Sequence, residues 1–197
     1  MENPGRVLYE RIPGFGLSRF GVQLAEAAAR GIPLDEVKAL VVSPLQRTVE
    51  SVKPWEKATG LKALPDERLI EPWNEFRGLA LNGGRTFFQR PDLWKFLVNP
   101  FLPSWGEPYA QIANRMLAVM RDAADSVDGG DVVLVTHQLP IWMVHLSMAG
   151  KSLVHLPNQR RCSLSSITSF RVSPTGFDEY SYLEPSDLGS VIDEGAA

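Results

Sequence analysis

The sequence predicts an α/β fold of three layers, α/β/α, around a mostly parallel sheet. Two apolar runs, 39–42 and 132–135, each pass within a few residues into a helix-forming stretch, which is how parallel strands connect to the helices that cover them. Between them lie stretches whose apolar residues recur at helical spacing. The chain then closes with two alternating segments, 165–172 and 177–183, around Ser173-Pro-Thr-Gly176, the pattern of a hairpin.

The first seventeen residues show neither period and hold Pro4, Gly5, Pro13, Gly14 and Gly16, so they read as loop. Ser18 then caps a helix to about Arg30, with Val22, Ala25 and Ala28 on one stripe and Gly31 and Pro33 ending it. Residues 37–42 form a strand. Ser43 as N-cap and Pro44 at the first helical position open a second helix, which Gly60 stops. A short strand is expected at 61–64, followed by an irregular stretch to about residue 107, rich in aromatic residues, Gly and Pro and long enough to suggest function. Ile112, Met116, Ala123 and Val127 mark a helix over 108–127, and Gly129-Gly130 separates it from the strand that delivers His137. A further helix covers 139–148. Residues 1–184 read as one domain, and 185–197 as a flexible carboxyl-terminal tail.

A chain of 197 residues, 44% hydrophobic, is long enough to bury a core. The net charge of -3 and the dispersed basic residues lack the electrostatic footprint of a nucleic-acid surface. The longest apolar runs are strand-sized, far below the ~20 residues that span a bilayer, so no membrane partner is expected. The opening residues have no leader pattern, and Cys162, the sole cysteine, has no partner for a disulfide within the chain. A cytoplasmic location is the expectation, with Cys162 as a packed thiol.

Three residues stand out chemically. His137 ends a buried strand at the carboxyl edge of the sheet, where open α/β folds bind ligands. Arg47 falls on the first turn of the helix after the other strand, where free amides and the dipole already favour anions. Glu71, after Leu69-Ile70, is a candidate general acid whose proton partial burial would retain. A fixed cation, a ring donor and an acid make up much of what a phosphate ester needs for cleavage. His145 and His155 do not stand at metal-ligand spacings from His137, so neither a metal nor another cofactor is expected. Gly14-Phe-Gly16 and Gly83-Gly84 lack the strand-to-helix context of a nucleotide loop and read as turns.

Taken in order, Arg11-Ile-Pro-Gly-Phe-Gly-Leu-Ser18, Ser43-Pro-Leu-Gln-Arg47, Arg68-Leu-Ile-Glu71, Gly106-Glu-Pro-Tyr109 and Val135-Thr-His137 resemble the histidine phosphatase superfamily, the phosphoglycerate-mutase-like proteins. The resemblance runs to about Phe170. It implies a phosphomonoesterase acting through a phosphohistidine intermediate on a small phosphorylated organic substrate. Glu71 and His137 would be catalytic. Arg47 and His137 would bind phosphate, with Asn3, Arg11 and Gln138 as further candidates, and Trp73, Phe76, Trp105, Glu107 and Arg115 would belong to a pocket lid. Phe88 is a further wall candidate. Phosphoglycerate mutase activity is an alternative, set aside because the sequence offers no clear second carboxylate-binding arrangement. A phosphate-binding or scaffolding protein without chemistry is another, and an interaction module built on the aromatic residues of 87–105 a third.

The resemblance also implies a first strand ending in Arg-His-Gly, whose histidine is the nucleophile. The sequence contains no Arg-His-Gly. Aligned on the Asn3-Pro4 pair, Met1 falls on the residue two places after that motif. The expectation is a start codon assigned inside the motif, with genuine truncation as the competing reading. Omitting the strand would remove about four buried apolar side chains, ~1.5 to 3 kcal/mol each, leave a gap between the strand that delivers His137 and the one near 167–170, and render this chain inactive.

Overall fold

The computed structural model describes residues 3, 8–74, 78, 106–174 and 176–185. The first helix, α1 (Arg19–Ala29), begins at the predicted cap, where the Gly21 amide donates to Ser18 Oγ at 3.1 Å. Its buried stripe is Gly21, Leu24, Ala25 and Ala28, whereas Val22 points outward and is 42% exposed. Of the expected stripe, Ala25 and Ala28 are buried, and Leu24 rather than Val22 joins them. Leu24 lines a cavity, and Ala28 and Ala29 pack in one core with Val52 and Trp55 of the second helix.

Strand β1 (Val37–Val42) leads to α2 (Gln46–Thr59), which closes on Gly60 in the left-handed conformation at φ 74°. Only glycine takes that φ without a Cβ penalty. The helix starts later than expected, with Leu45 at the cap and no side-chain cap bond. Ser43 does not cap because its hydroxyl is engaged across the sheet edge. Next come the two-residue strand β2 (Leu64–Pro65) and a 3-10 turn, Glu67–Leu69, capped by Asp66 through the Arg68 amide at 2.8 Å. Helix α3 (Tyr109–Asp125), strand β3 (Asp131–Val135), helix α4 (Gln138–Met148) and the hairpin β4 (Ile167–Ser173) and β5 (Gly176–Leu183) complete the order. Val127 falls beyond α3, and Val119 takes the buried position between Met116 and Ala123. The predicted carboxyl-terminal tail from 186 onward lies outside the described residues, as do Phe76, Phe88, Trp105 and almost all of the aromatic-rich stretch.

The strand order is β2-β1-β3, all parallel, with Val42 opposite Val135. Alternating side chains feed two core layers. Leu40, Val42, Val133 and Val135 pack with Ala28, Ala29, Val52 and Trp55 of α1 and α2. Val41 and Leu134 pack on the other face with Met116, Val119 and Val144 of α3 and α4. The three predicted layers are therefore present, with helices on both faces of the sheet.

Among the described residues β3 pairs only with β1, and β4 only with β5. Yet β4 continues both layers, Ile167 joining the α1/α2 core and Phe170 the α3/α4 core. Between β3 and β4 runs a cavity of about 1170 Å³, walled by Val133, Leu134, Thr168, Phe170, Ala25 and Met120, and open at the strand ends to the residues around His137.

Candidate active site

Parallel register brings the ends of β1 and β3 to one edge, so Ser43 and His137 emerge side by side although they are distant in sequence. The Ser43 amide donates to Val135 O at 2.9 Å, and Ser43 Oγ lies 2.8 Å from His137 Nε2. His137 is the N-cap residue of α4, its carbonyl accepting from the Ile141 amide, and only 7% of it is exposed. Arg47, on the first turn of α2, is as deeply buried. Its Nη1 donates to the carbonyl of Glu10 at 2.8 Å and its Nη2 to His137 Nδ1 at 3.1 Å. The Tyr9 ring covers the guanidinium at 5.1 Å.

Glu71 completes the cluster. Three contacts fix the segment that carries it: Thr136 Oγ1 donates to Leu69 O at 2.6 Å, Arg11 Nε to Glu71 O at 2.6 Å, and Arg115 Nη1 to Arg68 O. Glu71 Oε2 then stands 3.2 Å from His137 Nδ1 and 3.8 Å from Arg47 Nη2.

This geometry assigns the protons. An arginine nitrogen can only donate, so Nδ1 of His137 accepts and Nε2 carries the hydrogen, donated to Ser43 Oγ. The imidazole is neutral, in line with burial, which holds its pKa well below 6.5 with the Arg47 charge adding to the effect. Burial pushes the Glu71 carboxyl up to about 7, against the opposing pull of Arg47. A neutral Glu71 carboxyl also removes the repulsion that a carboxylate oxygen would meet at the Nδ1 lone pair. The cluster thus combines a buried guanidinium, a neutral imidazole and a carboxylic acid that retains its proton near neutrality.

A model of the histidine phosphatase superfamily, branch 1, matches residues 2–182. The chain belongs to that superfamily. The Mycobacterium tuberculosis protein Rv0525, itself uncharacterised, is 39% identical over 188 residues, covering 95% of this chain and 93% of that one. Among solved structures, YhfR of Bacillus stearothermophilus superposes with a TM-score of 0.70 at 21% identity, over 86% of this chain and 87% of that one. The mycobacterial glucosyl-3-phosphoglycerate phosphatase Rv2419c does so with a TM-score of 0.62 at 22% identity, over 77% and 76%. These two likenesses are of fold.

The histidine phosphatase resemblance read from the five sequence blocks therefore holds, and three of the predicted site residues, Arg47, Glu71 and His137, meet at one edge of the sheet. Arg11 reaches the cluster through the Glu71 carbonyl, its Nη2 also lying 3.7 Å from Glu107 Oε2. Gln138 lines the cavity with its side-chain amide tied to Cys162 O at 3.0 Å. Trp73 and Glu107 line it as well. Arg115 stands behind them, clasping Glu107 through Nε at 2.8 Å and Nη2 at 3.1 Å. Asn3 is buried. The thiol of Cys162 is buried and its pKa is raised by burial, as expected of a packed cysteine.

The sequence reading missed Ser43, Tyr9 and Glu10 as neighbours of the site. The residue type of Ser43 and the proline after it favour a helix cap, a local signal that hides its contact with His137. No local pattern marks Tyr9 or Glu10, which reach Arg47 from a loop. Among the described residues, no helix is long and apolar enough to cross a membrane, and no cluster of three or more potential metal ligands occurs.

Proposed function

We propose that this chain forms the phosphate-ester site of a phosphomonoesterase working through a phosphohistidine. What carries the reading is the convergence of Arg47, His137 and a Glu71 that holds its proton. Arg47 and His137 stabilise the equatorial phosphoryl oxygens. A histidine nitrogen attacks phosphorus, the bond from phosphorus to the ester oxygen breaks, and Glu71 gives its proton to the departing oxygen. Water then cleaves the nitrogen–phosphorus bond, releasing its proton to the Glu71 carboxylate and leaving inorganic phosphate.

The attacking histidine is none of the three in this sequence. His137 is engaged as above, His145 Nδ1 pairs with Glu179, and His155 Nδ1 bonds Leu153 O. We place it on an extended segment ending in Arg-His-Gly that enters the cavity between β3 and β4, the position the family resemblance implies. Without that segment the second reading applies: a protein that binds phosphate monoesters and does not turn them over.

The test is leaving-group dependence in a chain extended upstream through Arg-His-Gly. A proton donor contributes about 10² to 10⁴ in rate. Glu71→Gln should therefore slow hydrolysis of alkyl phosphates by that order while affecting p-nitrophenyl phosphate, whose leaving group needs little protonation, far less. Equal losses on both substrates would remove Glu71 from its assigned role.

A further inference from the structure

Four arginines stand near the cluster, and three of them already have a partner on a terminal nitrogen. Arg47 bonds Glu10 and His137, Arg11 bonds Glu71 and neighbours Glu107, and Arg115 clasps Glu107 and Arg68 O. Arg160 differs. It follows the 3-10 turn Pro157–Gln159 and lines the same cavity as Glu71, His137 and Tyr109. Its Nε donates to His155 Nε2 at 2.8 Å, and among the described residues neither terminal nitrogen has a hydrogen-bond or ion-pair partner.

We infer that Arg160 receives a second anionic group, carboxylate or phosphate, carried by the alcohol part of the substrate. This rests on the phosphomonoesterase reading and deepens it.

The orientation of Arg160 is built in. His155 Nδ1 is 2.9 Å from Leu153 O and so carries the hydrogen, which makes Nε2 an acceptor able to hold Arg160 Nε. The His155 ring is packed against Tyr109, with centroids 5.4 Å apart, and against the edge of Trp142 at 6.2 Å. Burial favours its neutral form, as the bond from Arg160 requires. With Nε occupied, the guanidinium offers the two hydrogens at its far end, the fork that matches two oxygens of a carboxylate or phosphate. Arg160 also acts electrostatically on Glu71. Because Glu71 protonates the leaving oxygen, a cation on its side of the cavity faces the alcohol rather than the transferred phosphoryl group. The sequence reading found no second anion-binding arrangement; Arg160 supplies one, through a contact to His155 that no motif marks.

The probes are inorganic phosphate, alkyl phosphates of two to four carbons, the corresponding ω-phosphooxy carboxylates, and the α,ω-bisphosphates, titrated calorimetrically into the 197-residue chain. At least one length of an anion-bearing series should bind about tenfold tighter than the alkyl phosphate of equal length. The series that gains identifies the anion. Arg160→Gln should bring the ratio near one, and Arg160→Lys should keep part of it, with melting curves confirming that both variants fold. A ratio near one at every length in the unmodified chain, or a ratio that survives Arg160→Gln, overturns the inference while leaving the phosphate site standing. Failure of inorganic phosphate and every monoester to bind overturns the phosphomonoesterase reading and this inference with it.

Discussion

Nδ1 of His137 has two polar neighbours and one lone pair. Arg47 Nη2 can only donate to it, so the imidazole must be neutral and the Glu71 carboxyl close by is most stable with its proton on. Nitrogen-15 NMR at pH 7 should therefore show His137 as the neutral Nε2–H tautomer, persisting well below pH 6.5; an imidazolium at neutrality would contradict the proton assignment. The pH dependence of stability follows with opposite signs at the two residues. Glu71 is raised from 4.5 to about 7, so its contribution is fully present below pH 4.5 and is lost as the pH rises through 7. His137 is depressed below 6.5, so its contribution is present above that value and lost as the pH falls. In thermal melts, Glu71→Gln should lose less stability than the parent between pH 5 and 8. At Ser43, replacement by alanine leaves the His137 Nε2–H buried without its acceptor, at a cost of about 1 to 3 kcal/mol measured by denaturant unfolding. Arg47 and His137 were readable in the sequence because each follows directly on an apolar strand. Ser43 as a ring partner was not, since its contact spans 94 positions and exists only once β1 and β3 are in register.

Elements were readable to the extent that their signals are local. The Ser18 cap, the Gly60 stop and the hairpin around Ser173 all rest on residues within a few positions of one another, and all three formed as read. In α1, Ala25 and Ala28 are buried as read, while Leu24, lining the cavity, takes the place expected of Val22. The entrance to the site depends on a close approach of a different kind. Asn74 and Gly106 form an antiparallel bridge, and the Glu107 amide donates to Trp73 O at 3.1 Å, which sets Glu107 against Arg11 and Arg115. A Cβ at Gly106 would lie 2.9 Å from Trp73 O. Gly106→Ala should destabilise the chain by about 1 to 3 kcal/mol and weaken phosphate binding through displaced Glu107. Unchanged melting and affinity would show the bridge to be dispensable.

For the whole molecule, two core layers run unbroken from β1 to β4 across a cavity that no described strand fills. The three-layer class was evident from strands alternating with helices. The separation of β4 from β3 was expected only through the family resemblance, because strand pairing is non-local and apolar runs do not state their neighbours. An extended segment in the cavity would satisfy both facing strand edges and bury about four apolar side chains at ~1.5 to 3 kcal/mol each. A chain extended upstream through Arg-His-Gly should accordingly melt higher and show a larger denaturant m-value than the 197-residue chain. Turnover of p-nitrophenyl phosphate by these two proteins, side by side and without added metal, tests the phosphohistidine reading most directly. The extended protein should hydrolyse it and the 197-residue chain should show no rate above background, since monoester hydrolysis is among the slowest uncatalysed reactions. Inactivity of a folded extended protein, or equal activity of the two, would contradict it.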